Sequence, residues 1–224
     1  MNVILLAAGL GKRMKIDQPK QFLSINGKPM LAYSLEVFNS IDEVTKIVLV
    51  CQEDHIDTYK KIVENYKINK VEFVIGGSTR QESVYNGLKV VDSDRVILHE
   101  AARPLISKDF VMDLVQQLTN DVDCVVPVLP VNFTVAIGDE FMEGILDRSK
   151  LRNIQLPQVV KTDVLLDAHN NAIAENFEAT EDSMMIYKYG GKVKFVDGRE
   201  SNVKITTLYD VNVISNFLNI KNNG

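Results

Sequence analysis

The chain has 224 residues, of which 46% are hydrophobic and 25% are charged, and its formal net charge is −5. This length and balance suit one α/β domain with a substantial core. The negative charge argues against broad binding to nucleic acid or to an anionic membrane, because both need a basic face. A small basic pocket for phosphate groups remains compatible with it.

Short β-branched runs alternate with longer amphipathic stretches, which is typical of βαβ units and a mostly parallel sheet. The first apolar run lacks a basic flank and leads into Gly9 and Gly11, so we expect a buried strand and not a signal peptide. In chain order the predicted strands cover residues 3–7, 46–51, 71–75, 95–99, 124–128 and 193–196. The predicted helices cover residues 29–40, 54–66, 80–90, 108–118, 161–176, 181–189 and 210–219.

No linker or repeat divides the sequence, so we expect a single domain over residues 1–224. Its apolar runs are shorter than the ~20 residues that a membrane-spanning helix needs. Cys51 and Cys124 lack a CxxC partner and fall at predicted strand ends, so we expect buried, reduced thiols. These features together predict a cytoplasmic protein.

One segment does not fit the alternating pattern. Residues 134–146 place two apolar-rich arms around Gly138 and Asp139, which predicts a β-hairpin arm at about 132–147. A hairpin alone is marginally stable in water, so its apolar side must pack on something. The arm either folds onto its own domain or forms a dimer contact, and the sequence leaves both open.

The most informative stretch is LAAGLGKRM at residues 6–14, directly after the first strand. Gly9 and Gly11 let backbone amides approach an anion, and Arg13 adds donors that match phosphate oxygens. Lys20, in PKQ at residues 19–21, supplies a second cation. The dinucleotide pattern GxGxxG fails at Met14, and the Walker pattern is absent. The combination favours a phosphate site over a glycine-rich loop with scattered surface cations.

Five further motifs follow in the chain: GGSTRQESV at 76–84, HEAARP at 99–104, DRSKL at 147–151, LPQ at 156–158 and NVKIT at 202–206. Together with the first two, they resemble the 2-C-methyl-D-erythritol 4-phosphate cytidylyltransferases and the similar ribitol-5-phosphate cytidylyltransferases. The resemblance implies a Rossmann-like sheet of the nucleotide-diphospho-sugar transferase type, flanked by helices. It also implies transfer of CMP from CTP to a polyol phosphate with release of pyrophosphate, Mg²⁺ as cofactor, and a homodimer formed through the β-arm.

The resemblance also implies roles for single residues. Arg13, Lys20 and Lys204 are expected to be catalytic, since both reactants are anionic and their charge must be neutralised. The residues expected to bind CTP are Ala7, Ala8, Gly9, Gly11, Gly76, Gly77, Arg80, Ser83 and Ala101. The acceptor is expected to meet Glu100, Thr134 and Arg148, with Arg148 supplied by the partner subunit.

Structural alternatives stay open for some of these residues. Ser78 or Thr79 could simply cap the following helix, with Glu82 completing a capping box. Glu100 is a candidate metal ligand, and its alternative is a salt bridge to Arg103. For Thr134, Arg148 and Lys204 the alternative is an ordinary surface or strand position. The remaining histidines, His55 and His169, are expected on helical surfaces without a chemical role.

Three positions depart from the family's usual pattern, all on the acceptor side. Glu100 and Phe133 stand where the family carries aspartates, and Leu156 replaces a threonine. Because apolar groups at 133 and 156 replace hydrogen-bonding partners, we hypothesise that the acceptor is a different alditol phosphate or a glycerol-like phosphate. Two alternatives for the whole chain are a sugar-1-phosphate nucleotidyltransferase using another NTP and a non-catalytic nucleotide-binding regulator.

Overall fold

The computed structural model describes residues 1–9, 11, 14 and 18–223, with side chains described up to residue 220. The strands are β1 (Asn2–Leu6), β2 (Ser24–Ile25), β3 (Lys28–Pro29), β4 (Lys46–Cys51), β5 (Val71–Ile75), β6 (Arg95–Glu100), β7 (Cys124–Pro130), β8 (Ala136–Gly138), β9 (Met142–Ile145), β10 (Arg152–Ile154), β11 (Gln158–Lys161) and β12 (Val193–Asp197). The α-helices are α1 (Met30–Asn39), α2 (Ile56–Asn65), α3 (Arg80–Leu88), α4 (Lys108–Gln116), α5 (Thr162–Ala174), α6 (Asp182–Lys188) and α7 (Leu208–Asn223).

Eight strands form one mixed sheet in the order β10-β7-β11-β6-β1-β4-β5, with β12 also paired to β7. The four strands β6, β1, β4 and β5 are parallel neighbours. Strand β11 runs antiparallel to both β6 and β7. Because the parallel strands all end at one edge, the loops that follow them gather there, where ligands bind in open α/β sheets.

Helices cover both faces of the sheet, and the side chains of β1 alternate between them. Val3 and Leu5 pack on the face that carries Phe38 of α1 and Tyr59 of α2. Ile4 faces the opposite cluster, which contains side chains of α3, α5 and α6. Strands that are buried on both faces have continuous apolar sequences, and for this reason they could be predicted from the sequence.

The six predicted strands and seven predicted helices are confirmed, with ends that differ by a few residues. Four further strands, β2, β3, β10 and β11, were not predicted; each has only two to four residues. The predicted hairpin is β8–β9, an antiparallel pair with a register shift beside Gly138. Cys51 and Cys124 are buried and free, as expected.

Among the described residues, no helix combines the length and the apolar character that crossing a membrane requires.

Candidate active site

A cleft of about 650 Å³ opens at the carboxyl ends of β1, β4, β5 and β6. Its walls come from the turn after β1, the β5–α3 loop, the end of β6 and the segment before α7. The predicted site residues that line it are Ala7, Ala8, Gly9, Gly11, Lys20, Gly76, Gly77, Arg80, Ser83, Glu100, Ala101 and Lys204. Motifs spread over some 200 residues of sequence therefore meet in one cavity.

The first wall is the glycine-rich turn with Lys20 beside it. Gly11 has φ +63°, a left-handed conformation that glycine adopts without strain, and the Lys20 side chain lies 3.4 Å from where a Cβ of Gly11 would be. The Lys20 ammonium donates to the carbonyl of Ile205 at 3.0 Å. Its side chain thus spans from the turn to the residue next to Lys204. Arg13 lies outside the described residues, so its catalytic role stays a prediction.

Two contacts of Ile205 hold the segment that carries Lys204: one in an apolar cluster and one to the end of β6. Ile205 is fully buried in an apolar cluster with Met14 from the glycine-rich turn and Ile214 of α7. Its amide also donates to the carbonyl of Ala102, just after β6, at 2.8 Å. These contacts hold Lys204 against the same edge of the sheet as the turn.

The second wall is the β5–α3 loop. The amide of Gly77 donates to the hydroxyl of Ser83 at 3.1 Å, and that hydroxyl donates to the carbonyl of Thr79 at 2.9 Å. Thr79 is the N-cap of α3, because its side chain accepts from the amide of Glu82 at 3.1 Å. Glu82 in turn accepts from the amide of Ser78 at 2.7 Å. The capping alternative is therefore correct, and it coexists with a cleft-lining Ser83.

At Gly76 the β5–α3 loop comes into close contact with the glycine-rich turn. A Cβ on Gly76 would lie 2.7 Å from the Cβ of Ala8 and 3.0 Å from the hydroxyl oxygen of Ser83. We expect Gly76→Ala to destabilise the fold by about 1–3 kcal/mol through overpacking. It should also weaken nucleotide binding, because two cleft walls move apart. Thermal unfolding and titration with CTP measure the two effects.

Gly144 offers a matched control for that substitution. A Cβ there meets its nearest neighbour, Ile137, at an ordinary 3.4 Å, and the residue lies away from the cleft. Gly144→Ala should change the melting temperature little. Unchanged stability and CTP binding in Gly76→Ala would contradict the packed contact described above.

A network of charged side chains closes the end of the cleft. The guanidinium of Arg80 contacts Glu100 at 3.1 Å, Glu181 at 3.1 Å and Asp182 at 2.6 Å. Lys204 contacts the other oxygen of Glu100 at 2.5 Å. Burial opposes ionisation of Glu100, but the charges of Lys204 and Arg80 outweigh it and hold its pKa at about 2. Glu100 is therefore ionised, and its carboxylate bridges the guanidinium of Arg80 and the ammonium of Lys204.

The alternative prediction for Glu100, a salt bridge to Arg103, was wrong. Arg103 donates instead to the backbone carbonyl of Asn202 at 2.7 Å, which anchors the segment leading to Lys204. Asn202 is fully buried and donates to the carbonyl of Leu156 at 2.5 Å. Arg103 therefore supports the position of Lys204 and makes no ion pair with Glu100 among the described contacts.

His169 is buried, and its expected place on a helical surface was wrong. Its side chain has no exposed area, and its Nε2 lies 3.1 Å from a carboxylate oxygen of Asp182. Burial of Asp182 is outweighed by Arg80 and by this hydrogen bond, and its pKa is held at about 2. This contact could not be predicted from the sequence, because a Glu-Asp pair at the start of a helix is also explained by the helix dipole.

The described residues do not form a metal cage. No group of three or more His, Cys, Asp and Glu side chains among them is placed to hold an ion. Glu100 lines the cleft, but each of its oxygens already contacts a cationic side chain. Mg²⁺ commonly takes one or two protein carboxylates and completes its shell with substrate phosphates and water. The donor set therefore fits only an ion held mainly by the substrate.

The structure does not bring the remaining acceptor-side residues to the cleft of the same chain. Thr134 and Arg148 are exposed at the base of the arm, where Arg148 donates to the carbonyl of Asn132 at 3.0 Å. Phe133 is 83% exposed. Leu156 is only 1% exposed and packs in the core, so the inference that its side chain alters the acceptor pocket was wrong.

Comparisons with known proteins point to one family. The sequence model of IspD, 2-C-methyl-D-erythritol 4-phosphate cytidylyltransferase, matches residues 1–219. The enzyme of that name from Clostridium botulinum strain 657 is 39% identical over 215 residues, covering 94% of this chain and 93% of the relative. The Clostridium acetobutylicum enzyme is 40% identical over 213 residues, covering 93% of each. The crystal structure of 4-diphosphocytidyl-2C-methyl-D-erythritol synthase from Anaerococcus prevotii aligns with TM-score 0.84 and 29% identity over 97% of both chains.

Proposed function

The chain belongs to the 2-C-methyl-D-erythritol 4-phosphate cytidylyltransferase family, and on that premise we propose that it transfers CMP from CTP to 2-C-methyl-D-erythritol 4-phosphate, releasing pyrophosphate. The observation that carries the proposal is the meeting of Lys20 and Lys204 with the glycine-rich turn in one cleft. That arrangement offers backbone amides and two cations to a triphosphate.

The reaction is an in-line displacement at phosphorus. A phosphate oxygen of the acceptor forms a bond to the α-phosphorus of CTP, while the bond from that phosphorus to the bridging oxygen breaks and pyrophosphate leaves. The acceptor phosphate is largely deprotonated at neutral pH, so the attack needs no general base. This agrees with a cleft in which the described lining residues include no histidine.

The task left to the protein is to neutralise charge as it concentrates on the α-phosphoryl group and the leaving pyrophosphate. We assign it to Lys20 from the PKQ motif and to Lys204 from the facing segment, with Arg13 expected beside them. Glu100 holds both the Lys204 ammonium and the Arg80 guanidinium, one on each of its carboxylate oxygens, at the same end of the cleft. Mg²⁺ bound to the triphosphate would share the neutralisation.

The nucleoside is expected at the β5–α3 loop. Gly76 sits so close to Ala8 and Ser83 that no side chain fits there, so the loop backbone forms the wall itself. A wall of backbone amide and carbonyl groups suits hydrogen bonding to the edge of a pyrimidine, because no side chain keeps the base away from it. We therefore propose CTP as the nucleotide, with Gly76, Gly77 and Ser83 beside the cytidine.

The acceptor is proposed from the relatives, which are named for 2-C-methyl-D-erythritol 4-phosphate. The rival hypothesis of a different alditol phosphate loses the support of Leu156, whose side chain is in the core. Glu100 and Phe133 remain departures from the family's usual residues. Ribitol 5-phosphate therefore belongs in the test of the acceptor. The cytoplasmic location expected from the sequence stays a prediction.

The proposal is tested by measuring pyrophosphate release with each of CTP, UTP, GTP and ATP. Each nucleotide is combined with methylerythritol phosphate, ribitol 5-phosphate, glycerol phosphate or a sugar 1-phosphate. We expect the highest kcat/KM for CTP with methylerythritol phosphate. Turnover of a sugar 1-phosphate with another nucleotide would favour the rival nucleotidyltransferase, and no release with any pair would favour a non-catalytic regulator.

We also propose that a second copy of the chain covers the β8–β9 arm. Phe141 and Ile145 are 75% and 82% exposed, and Met142 between them is 68% exposed. An isolated two-stranded hairpin with such an apolar surface is marginal in water. A dimer in which the arm reaches the partner would also carry Thr134 and Arg148 towards the partner's cleft.

The dimer proposal predicts that Ile145→Asp converts the protein to monomers, as measured by light scattering. It also predicts complementation between two variants when they are co-expressed. Lys20→Ala and Arg148→Ala are each expected to be nearly inactive alone. A mixed dimer regains one intact site, in which the Arg148→Ala chain supplies Lys20 and its partner supplies Arg148. If no mixture regains activity, Arg148 does not act across the dimer.

A further inference from the structure

Tyr59 lies beneath the glycine-rich turn and touches the turn's first residue. It belongs to α2 and is fully buried. Its hydroxyl donates to the carbonyl of Ala7 at 2.7 Å and accepts from the side-chain amide of Gln21 at 2.7 Å. Burial raises the pKa of Tyr59, so the hydroxyl keeps its proton and can make both bonds at once.

The contact with Ala7 orients a peptide of the proposed phosphate turn. A trans peptide is planar, so its carbonyl and its N–H point in opposite directions. With the Ala7 carbonyl directed at Tyr59, the N–H of Ala8 points to the other side of that peptide. Ala7 and Ala8 both line the cleft. The Tyr59 hydroxyl therefore sets which group of this peptide faces a ligand.

The contact with Gln21 joins the turn to the neighbouring cation. Gln21 is 2% exposed, and its amide also approaches the side-chain oxygen of Gln52 at 3.2 Å. The ring of Phe22 packs edge-on against the Tyr59 ring, with centroids 4.8 Å apart. Lys20, Gln21 and Phe22 form one short 3₁₀ turn, so fixing Gln21 and Phe22 also fixes the backbone that carries Lys20.

We infer that Tyr59 is a positioning residue for the triphosphate, holding the glycine-rich turn and Lys20 at a fixed separation. The inference deepens the proposed function and rests on it. Gln21 of the PKQ motif acts with Tyr59, because its buried side-chain amide donates to the Tyr59 hydroxyl. Loss of the hydrogen bonds from Tyr59 to Ala7 and Gln21 should weaken the binding of CTP and leave the binding of the acceptor unchanged.

The test is Tyr59→Phe, which removes the hydroxyl and keeps the ring. We expect KM for CTP to rise about tenfold, the scale of one lost hydrogen bond. KM for methylerythritol phosphate should stay within about twofold, because the residues expected to bind the acceptor, Glu100, Thr134 and Arg148, are not part of this turn. Stabilisation of the variant by CTP alone, measured as a melting-temperature shift, should fall in parallel.

Tyr33→Phe is the matched control. The Tyr33 hydroxyl also donates to a backbone carbonyl, that of Ile25, at 2.7 Å, and Tyr33 does not line the cleft. It should leave KM for CTP unchanged. If Tyr59→Phe fails to fold, Gln21→Met tests the same bridge from its other end, and the same selective rise in KM for CTP is expected.

Equal rises in both KM values, or no change in KM for CTP in a folded variant, would overturn the inference. Wild-type protein assayed in parallel separates this failure from a failure of the proposed function. A wild-type enzyme that turns over CTP normally beside an unaffected variant removes only the role of Tyr59. A wild-type protein that neither binds nor consumes CTP removes both.

Discussion

Lys20→Ala is expected to lower kcat by about a hundredfold or more while leaving a folded protein, because removing one preorganised donor at a developing charge costs this much. Lys20 is well placed for such a loss, since its side chain passes Gly11 and ends 3.0 Å from the Ile205 carbonyl. A ligand phosphate entering the cleft would meet the Lys20 ammonium between the glycine-rich turn and the segment at Ile205. Steady-state release of pyrophosphate measures the effect, and circular dichroism checks the fold.

Lys70→Ala is the matched control for that substitution. The Lys70 ammonium likewise donates to a backbone carbonyl, that of Ile41, at 2.8 Å, but it lies outside the cleft. Its kcat should stay within about twofold of the wild-type value, as for most surface changes. Near-normal turnover in a folded Lys20→Ala protein would remove Lys20 from the catalytic assignment.

Asp182→Asn is expected to lower the free energy of unfolding by about 3 kcal/mol, the scale for breaking a buried ion pair. Asp182 is 1% exposed and sits between the Arg80 guanidinium at 2.6 Å and His169 at 3.1 Å. The amide keeps the shape but removes the charge that Arg80 needs. Because Arg80 also holds Glu100, the Lys204 ammonium should lose its fixed partner, and kcat should fall as well.

The pH dependence of stability offers an independent measure of this network. A carboxyl whose pKa is lower in the folded state stabilises the fold when it is ionised. For Asp182 that stabilisation is complete above the unfolded pKa of about 3.9 and is lost as the pH falls towards about 2. Glu181 has the opposite sign, since burial raises its pKa, but it is less enclosed. Asp182→Asn should therefore flatten the loss of stability between about pH 4 and pH 2.

Asp113→Asn serves as the control for both measurements. Asp113 pairs with Arg199 at 3.4 Å, and its side chain is 62% exposed. Exposed pairs contribute at most about 1 kcal/mol, so this variant should unfold almost like the wild type. If Asp182→Asn also unfolded like the wild type, the network at the cleft would be incidental to the fold.

Periodicity predicted most of the fold because the long elements are also the buried ones. The runs at β1, β4 and β7 are apolar along their length, as strands covered on both faces must be. β11 was missed for a different reason. It has four residues, and the helix predicted over 161–176 included the last of them, so the apolar pair that remained was too short to show a strand period.

The residues of the site also divide into those that sequence patterns predict and those that they do not. The glycine-rich turn and Lys20 were predicted because close approach to phosphate demands glycines and a nearby cation. The loop at Gly76 was predicted from the family resemblance. Asp182 and Tyr59 were missed, because they act by holding other residues and follow no spacing rule. Leu156 was misjudged for a related reason: a motif gives a residue's position in sequence but not which way its side chain points.

The most direct test of the account is a crystal structure of the protein with CTP. The account predicts the triphosphate between the glycine-rich turn, Lys20 and Lys204, and the cytosine against the backbone of Gly76 and Gly77. A nucleotide bound anywhere else, or a triphosphate that contacts neither lysine, would contradict it.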